Sequence, residues 1–146
     1  MDKIYTALGL MSGTSMDGLD ASIIKSDGIR EYSVEFNKYF EYGKELRLEL
    51  ENIRDKILSA VHLKEYSIKI KELEKKITLF HAHAVNEIIN VTKTNIDLIG
   101  FHGHTIFHDS KKKISIQLGD GKLLSQLTKK IVVYEFRQND LKNGGR

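Results

Sequence analysis

The sequence has 146 residues, 40% apolar and 29% charged, which suits one globular domain with room for a real core. It contains no cysteine, which excludes a disulfide framework and any thiolate metal site. The net charge of +3 comes from 23 basic residues interleaved with 20 acidic ones, so no nucleic-acid stripe is implied.

An apolar run from Ile4 to Met11 opens the chain, and a half-alternating run from Leu19 to Lys25 answers it. Between them, Ser12-Gly13-Thr14-Ser15-Met16-Asp17-Gly18 reads as a tight hairpin tip with exposed backbone N–H groups and hydroxyl donors. A concave row of such donors suits the oxygens of a phosphate. An ordinary Gly/Ser/Asp turn uses the same residues. No Gly-Lys-Ser/Thr follows, so this is not a Walker A loop, and the spacing of a Rossmann fingerprint is missing.

Asp27-Gly28 marks the next turn, and Tyr32 to Tyr42 reads as a third strand with Tyr32, Val34 and Phe36 on one face. After Gly43 the period changes. Leu46, Leu50, Ile53 and Ile57 recur at helical spacing and predict a helix from Lys44 to Ser59. Val61 to Tyr66 reads as a connection. A longer helix from Ser67 to Thr92 or Lys93 buries Ile70, Leu73, Ile77, Phe80 or His81, Ala84 and Ile88.

Ile96 to Phe101 is a short, continuous apolar run of the kind that forms a buried central strand. Ile106–Phe107 and Ile114–Leu118 predict a hairpin across Lys111-Lys112-Lys113, the one basic cluster, read as a solvated tip. Asp120 is placed to cap a helix from Lys122 to Leu127, and Ile131 to Tyr134 is the last strand. The order β-β-β-α-α-β-β-β-α-β predicts an α/β domain whose sheet mixes antiparallel and parallel pairs. There is no internal repeat and no interdomain linker. No run is apolar enough to span a bilayer, no signal-peptide pattern opens the chain, and a cytoplasmic protein is expected.

Among the residues that could carry chemistry, His81 and His83 lie two apart on a helix and point to different faces, so one packed and one exposed histidine is expected. His102 and His104, with His108 nearby, follow the central strand on a glycine loop, where α/β folds place ligands. No carboxylate stands in register for a zinc site, which favours polar substrate contact. Beyond the last strand come Glu135, Arg137 and Asp140. Arginine is a natural bidentate partner for carboxylate or phosphate, and a structural salt bridge is equally consistent.

Five blocks in order resemble the anhydro-N-acetylmuramic acid kinase family: Gly9 to Asp20, Phe80-His81-Ala82-His83-Ala84-Val85, Gly100 to His108, Gln117-Leu118-Gly119-Asp120-Gly121, and Phe136 to Gly145. The resemblance implies an α/β fold with the mixed sheet of an actin/hexokinase/Hsp70-like (ribonuclease H-like) ATPase lobe. It also implies ATP and Mg2+ as cofactors. In the implied reaction, water opens the 1,6-anhydro ring of anhydro-N-acetylmuramic acid while ATP phosphorylates O6. By this resemblance Ser12, Gly13, Thr14, Ser15, Met16, Asp17 and Gly18 form the phosphate hairpin. Asp17 binds magnesium through water or holds the turn, and His102, His104, Thr105 and Arg137 face the sugar.

Three departures stand out. His104 and Glu135 take positions where the family usually has Gln and Asp, and Arg146 stands where it has Gln. The Asp-Thr-Gly-Pro-Gly motif that carries the family's catalytic aspartate does not occur in these residues. Residues 1–146 are therefore expected to be a single N-terminal lobe, inactive alone and prone to self-association or to capture by a complementary C-terminal fragment. The competing expectation is a non-catalytic remnant or binding module that keeps the hairpin.

Overall fold

Apolar periodicity decides the elements. In a computed structural model, which describes residues 3–12, 17–28 and 32–134, the alternating and continuous apolar runs become strands and the 3.6-period runs become helices. In chain order these are β1 (Tyr5–Ser12), β2 (Gly18–Ser26), β3 (Tyr32–Glu41), α1 (Lys44–Lys56), α2 (Ala60–Glu65), α3 (Ser67–Thr92), β4 (Leu98–Phe101), β5 (His104–Asp109), β6 (Ile114–Leu118), α4 (Gly121–Thr128) and β7 (Ile131–Tyr134).

The main sheet has the order β3-β2-β1-β4-β7, and β5-β6 forms a separate hairpin. β1, β2 and β3 are antiparallel neighbours, whereas β4 lies parallel to both β1 and β7. The mixed α/β architecture read from the sequence is thus the one found. Leu8 and Leu10 of β1, Leu19, Ala21 and Ile23 of β2, and Ile99 and Phe101 of β4 are all buried. Helices α1, α3 and α4 supply the rest of the core through Leu50, Leu73, Ile77, Ile88 and Leu124. On α3 the buried stripe takes His81 rather than Phe80 and widens to Thr78, Ala82 and Val85. Asp120 caps α4 as expected, its side chain accepting from the Leu123 N–H at 3.1 Å.

Three details differ from the sequence reading. The segment read as a connection contains α2, a single short helix with no buried residue, too short for helical periodicity to register. Helix α1 ends at Lys56, before Ser59, and its C-cap Ile57 turns into extended backbone to bury its side chain. The face expected of Tyr32, Val34 and Phe36 is broken: Phe36 pairs with Ile23 but Val34 pairs with Ile24, so a bulge interrupts the alternation. Phe36 packs on the core, while Tyr32 and Val34 stay exposed on an edge strand.

Because β1, β4 and β7 run parallel, their carboxyl ends emerge at one edge of the sheet. Ser12 and His102 therefore leave the sheet on the same side. The His102 N–H donates to the Leu10 carbonyl at 3.3 Å, which ties the two segments together. No helix among the described residues is long and apolar enough to cross a membrane.

Candidate functional site

The hairpin between β1 and β2 is described at its two stems. Ser12 closes β1, Asp17 precedes β2 and Gly18 opens it; Gly13, Thr14, Ser15 and Met16 lie outside the described residues. Both stems meet tyrosines. The Ser12 Oγ lies 2.7 Å from the Tyr42 hydroxyl, and the Tyr42 N–H donates to the Asp17 carbonyl at 2.8 Å. The Tyr39 hydroxyl donates to Asp17 Oδ1. That bond to a carboxylate, more than any other cause, pushes the Tyr39 phenol up to about 12. Tyr42 is also pushed up to about 12, mainly by burial. Gly18 is buried without room for a side chain, since a Cβ there would lie 2.5 Å from the Phe40 carbonyl oxygen and from Tyr39 Cζ. Its smallness serves close approach by β3.

The second group lies on the loop after β4. His102 is half-buried, and its Nδ1 donates to the Gly103 carbonyl at 3.1 Å. Gly103 has φ +81°, and a Cβ would sit 2.5 Å from the Leu118 carbonyl oxygen, so this position requires glycine. Thr105 Oγ1 accepts from Gln117 Nε2 at 3.3 Å, and the same amide reaches Ser115 Oγ at 2.6 Å. His104 is not on the loop but begins β5, with 1% of its surface exposed. Its ring tilts against Tyr42 at 5.8 Å, and neither ring nitrogen has a partner among the described residues.

Behind His104, His81 donates from Nδ1 to the Ile77 carbonyl at 2.7 Å and stands edge-on to Phe101. Burial lowers both histidines from 6.5 to about 4; the Arg54 charge adds to the effect at His104, and His104 itself adds to it at His81. Both are neutral at neutral pH. His83 and His108 are exposed, so the histidine pair on α3 divides into one packed and one solvated ring. Arg137, with Glu135 and Asp140, lies outside the described residues.

A cavity of about 280 Å³ opens beside His102, lined also by Glu74, Ser115, Gln117 and Tyr134. Glu74, Ser115 and Tyr134 were not singled out by sequence. Glu74 looks like one more charge on a long helix, and only folding aims it at the Gly119 turn, where Oε2 accepts from the Gly119 N–H at 3.4 Å. Thr78 Oγ1 fixes the same turn by accepting from the Asp120 N–H at 2.9 Å. Among the described residues no group of three or more His, Asp or Glu is gathered as a metal site.

A family model for anhydro-N-acetylmuramic acid kinase matches residues 5–146. The chain belongs to this family. Its five-stranded mixed sheet is accordingly the actin/hexokinase/Hsp70-like ATPase lobe that the motifs implied. Relatives named anhydro-N-acetylmuramic acid kinase match the whole chain: one from Pelagibacter ubique (strain HTCC1062) at 58% identity, one from Agrobacterium fabrum at 38% and one from Rhizobium etli at 37%. The chain spans 39% of the first relative's length and 40% of each of the other two.

Proposed function

We propose that these residues form the phosphate-binding and sugar-facing wall of an ATP-dependent anhydro-N-acetylmuramic acid kinase in the cytoplasm. The observation that carries the reading is the shared sheet edge: in a chain of this family, a glycine- and hydroxyl-rich hairpin and a histidine loop leave β1 and β4 side by side. In this proposal water adds to the anomeric carbon, the bond from that carbon to O6 breaks, and O6 takes the terminal phosphoryl group of ATP. The products are N-acetylmuramic acid 6-phosphate and ADP.

Ser12, Gly13, Thr14, Ser15, Met16, Asp17 and Gly18 would cradle the phosphates through backbone N–H groups and hydroxyls. The carboxylate of Asp17 and the hydroxyl of Ser12 are hard oxygen donors on the two stems of that cradle, of the kind that suits Mg2+. When bound, Mg2+ neutralises developing charge on the phosphates. His102, Thr105 and Arg137 would orient the sugar hydroxyls, with His104 supporting them from the buried side. General-base activation of the attacking water, worth about 10²–10⁴-fold, has no assigned group in these residues. The 146-residue polypeptide is therefore proposed to bind ligands without turning them over, unless a complementary polypeptide supplies that base.

The test is an NMR titration of the chain with Mg2+ and ATP, beside a coupled assay of ADP release with anhydro-N-acetylmuramic acid. Shifts confined to the hairpin, abolished by Gly13→Val, are expected, with no ADP release above background. Unchanged ATP affinity in Gly13→Val would remove the hairpin assignment. Turnover that is lost on Asp17→Asn would show that these residues are a complete catalyst.

A further inference from the structure

The two described stems of the hairpin are held by two tyrosines only three residues apart in sequence. Tyr39 is 43% exposed on an edge strand, so burial does not explain where its ring lies. Directly across from Asp20 in register, it leans along the strand over Gly18 and delivers its hydroxyl to Asp17 Oδ1. The absent side chain at position 18 leaves the space the ring occupies. Tyr42, only 4% exposed, reaches Ser12 with its hydroxyl and the Asp17 carbonyl with its backbone N–H. Its ring is wedged edge-on against Phe80 of α3 and tilted against His104. One short segment therefore anchors both stems of the hairpin to the body of the lobe.

We propose that Tyr39 is a positioning residue, its hydroxyl presetting the Asp17 carboxylate for the cation and phosphates of a nucleotide, while Tyr42 presets Ser12 on the opposite stem; this rests on reading the hairpin as a phosphate cradle. A carboxylate on a free stem loses rotamer freedom when it meets a ligand, and a carboxylate already fixed by a donor has made that sacrifice in folding. Tyr39 acts through Asp17 and touches no ligand itself.

Tyr39→Phe deletes one exposed hydroxyl and keeps the ring, so the urea midpoint of the chain should not move. The dissociation constant for ATP, read by NMR titration, should rise about three- to tenfold in the presence of Mg2+, the scale of ordering one side chain on binding. In EDTA, without the cation, it should change less than about twofold. The double variant Asp17→Asn/Tyr39→Phe should bind no more weakly than Asp17→Asn, because a residue acting through Asp17 has nothing to act on once the carboxylate is gone. Binding by Tyr39→Phe within twofold of wild type, or additive losses in the double variant, would overturn the role.

A second readout separates this inference from the reading beneath it. With ring-labelled tyrosine, the Tyr39 ring resonances should move in Asp17→Asn, because the carboxylate that accepts from the hydroxyl is gone. Unmoved Tyr39 resonances in that variant would overturn the contact whatever the nucleotide does. If the resonances move but wild type binds no ATP with Mg2+, the cradle reading has failed and the positioning role falls with it.

Discussion

Acid should unfold this domain through two buried imidazoles. His81 and His104 are fully buried, and three of their four ring nitrogens have no hydrogen-bond partner among the described residues. Among the described residues no carboxylate bonds to either ring, and at His104 a protonated ring would feel the positive charge of Arg54. Their native values near 4 lie below the unfolded value of 6.5, so on acidification the unfolded chain binds protons first. The stability they allow is complete above pH 6.5 and is lost as pH falls from 6.5 towards 4. At pH 5 the linkage integral gives about 2 kcal/mol for each histidine, or about 4 kcal/mol for the pair. Against a typical domain stability of about 5–15 kcal/mol, that is a large fraction.

Other groups also contribute to the pH dependence of stability, so the informative quantity is a difference between proteins. Urea unfolding at pH 7.5, 6.5, 5.5 and 5.0 would be compared for wild type, His81→Leu, His104→Gln and the double variant. The double variant should lose about 4 kcal/mol less than wild type between pH 7.5 and 5, and each single variant about half of that. Parallel pH profiles for wild type and the double variant would refute the reasoning. They would mean that the rings reach solvent or find partners when charged.

Other perturbations are smaller and more local. Gly103→Ala must adopt φ +81° with its Cβ against the Leu118 carbonyl, so a loss of about 1–3 kcal/mol is expected in thermal unfolding; a loss below about 0.5 would contradict the geometry. Asp120→Ala removes the only side-chain cap recorded for the helices among the described residues and should cost about 1 kcal/mol in urea unfolding, with Asp120→Asn retaining most of it. Thr105→Val should weaken binding of anhydro-N-acetylmuramic acid by about 1–3 kcal/mol while leaving ATP binding nearly unchanged. Equal losses for both ligands would make the Thr105–Gln117 contact structural.

The elements were legible because burial in this fold follows simple periods. Leu19, Ala21 and Ile23 alternate along β2, and Leu46, Leu50 and Ile53 step round α1, so strands and helices could be placed without knowing what covered them. Helix α2 escaped because its six residues bury nothing, and the bulge at Ile23/Ile24 escaped because register is a property of a strand pair. Glycine, serine and histidine at a strand end mark a segment where backbone and polar groups are free to serve a ligand, and such residues are visible singly.

What holds those residues was not visible, and the reason is geometric. Gly18 reads as a turn residue, yet its constraint comes from Tyr39 and Phe40 on the neighbouring strand, some 20 residues away in sequence. Asp17 reads as a metal ligand or a turn residue, and its carboxylate accepts from the hydroxyl of that same Tyr39. His104 reads as a loop residue because Gly103 precedes it, but Gly103 is a sharp left-handed corner that ends the loop one residue early and sends His104 into the core against Tyr42. In each case the chemistry belongs to a pair, and one member lies on β3 or just after it, the stretch where sequence shows only an aromatic-rich edge strand. Aromatic residues on an exposed edge need a reason beyond burial. Here Tyr39 has one in the hairpin stem that it holds.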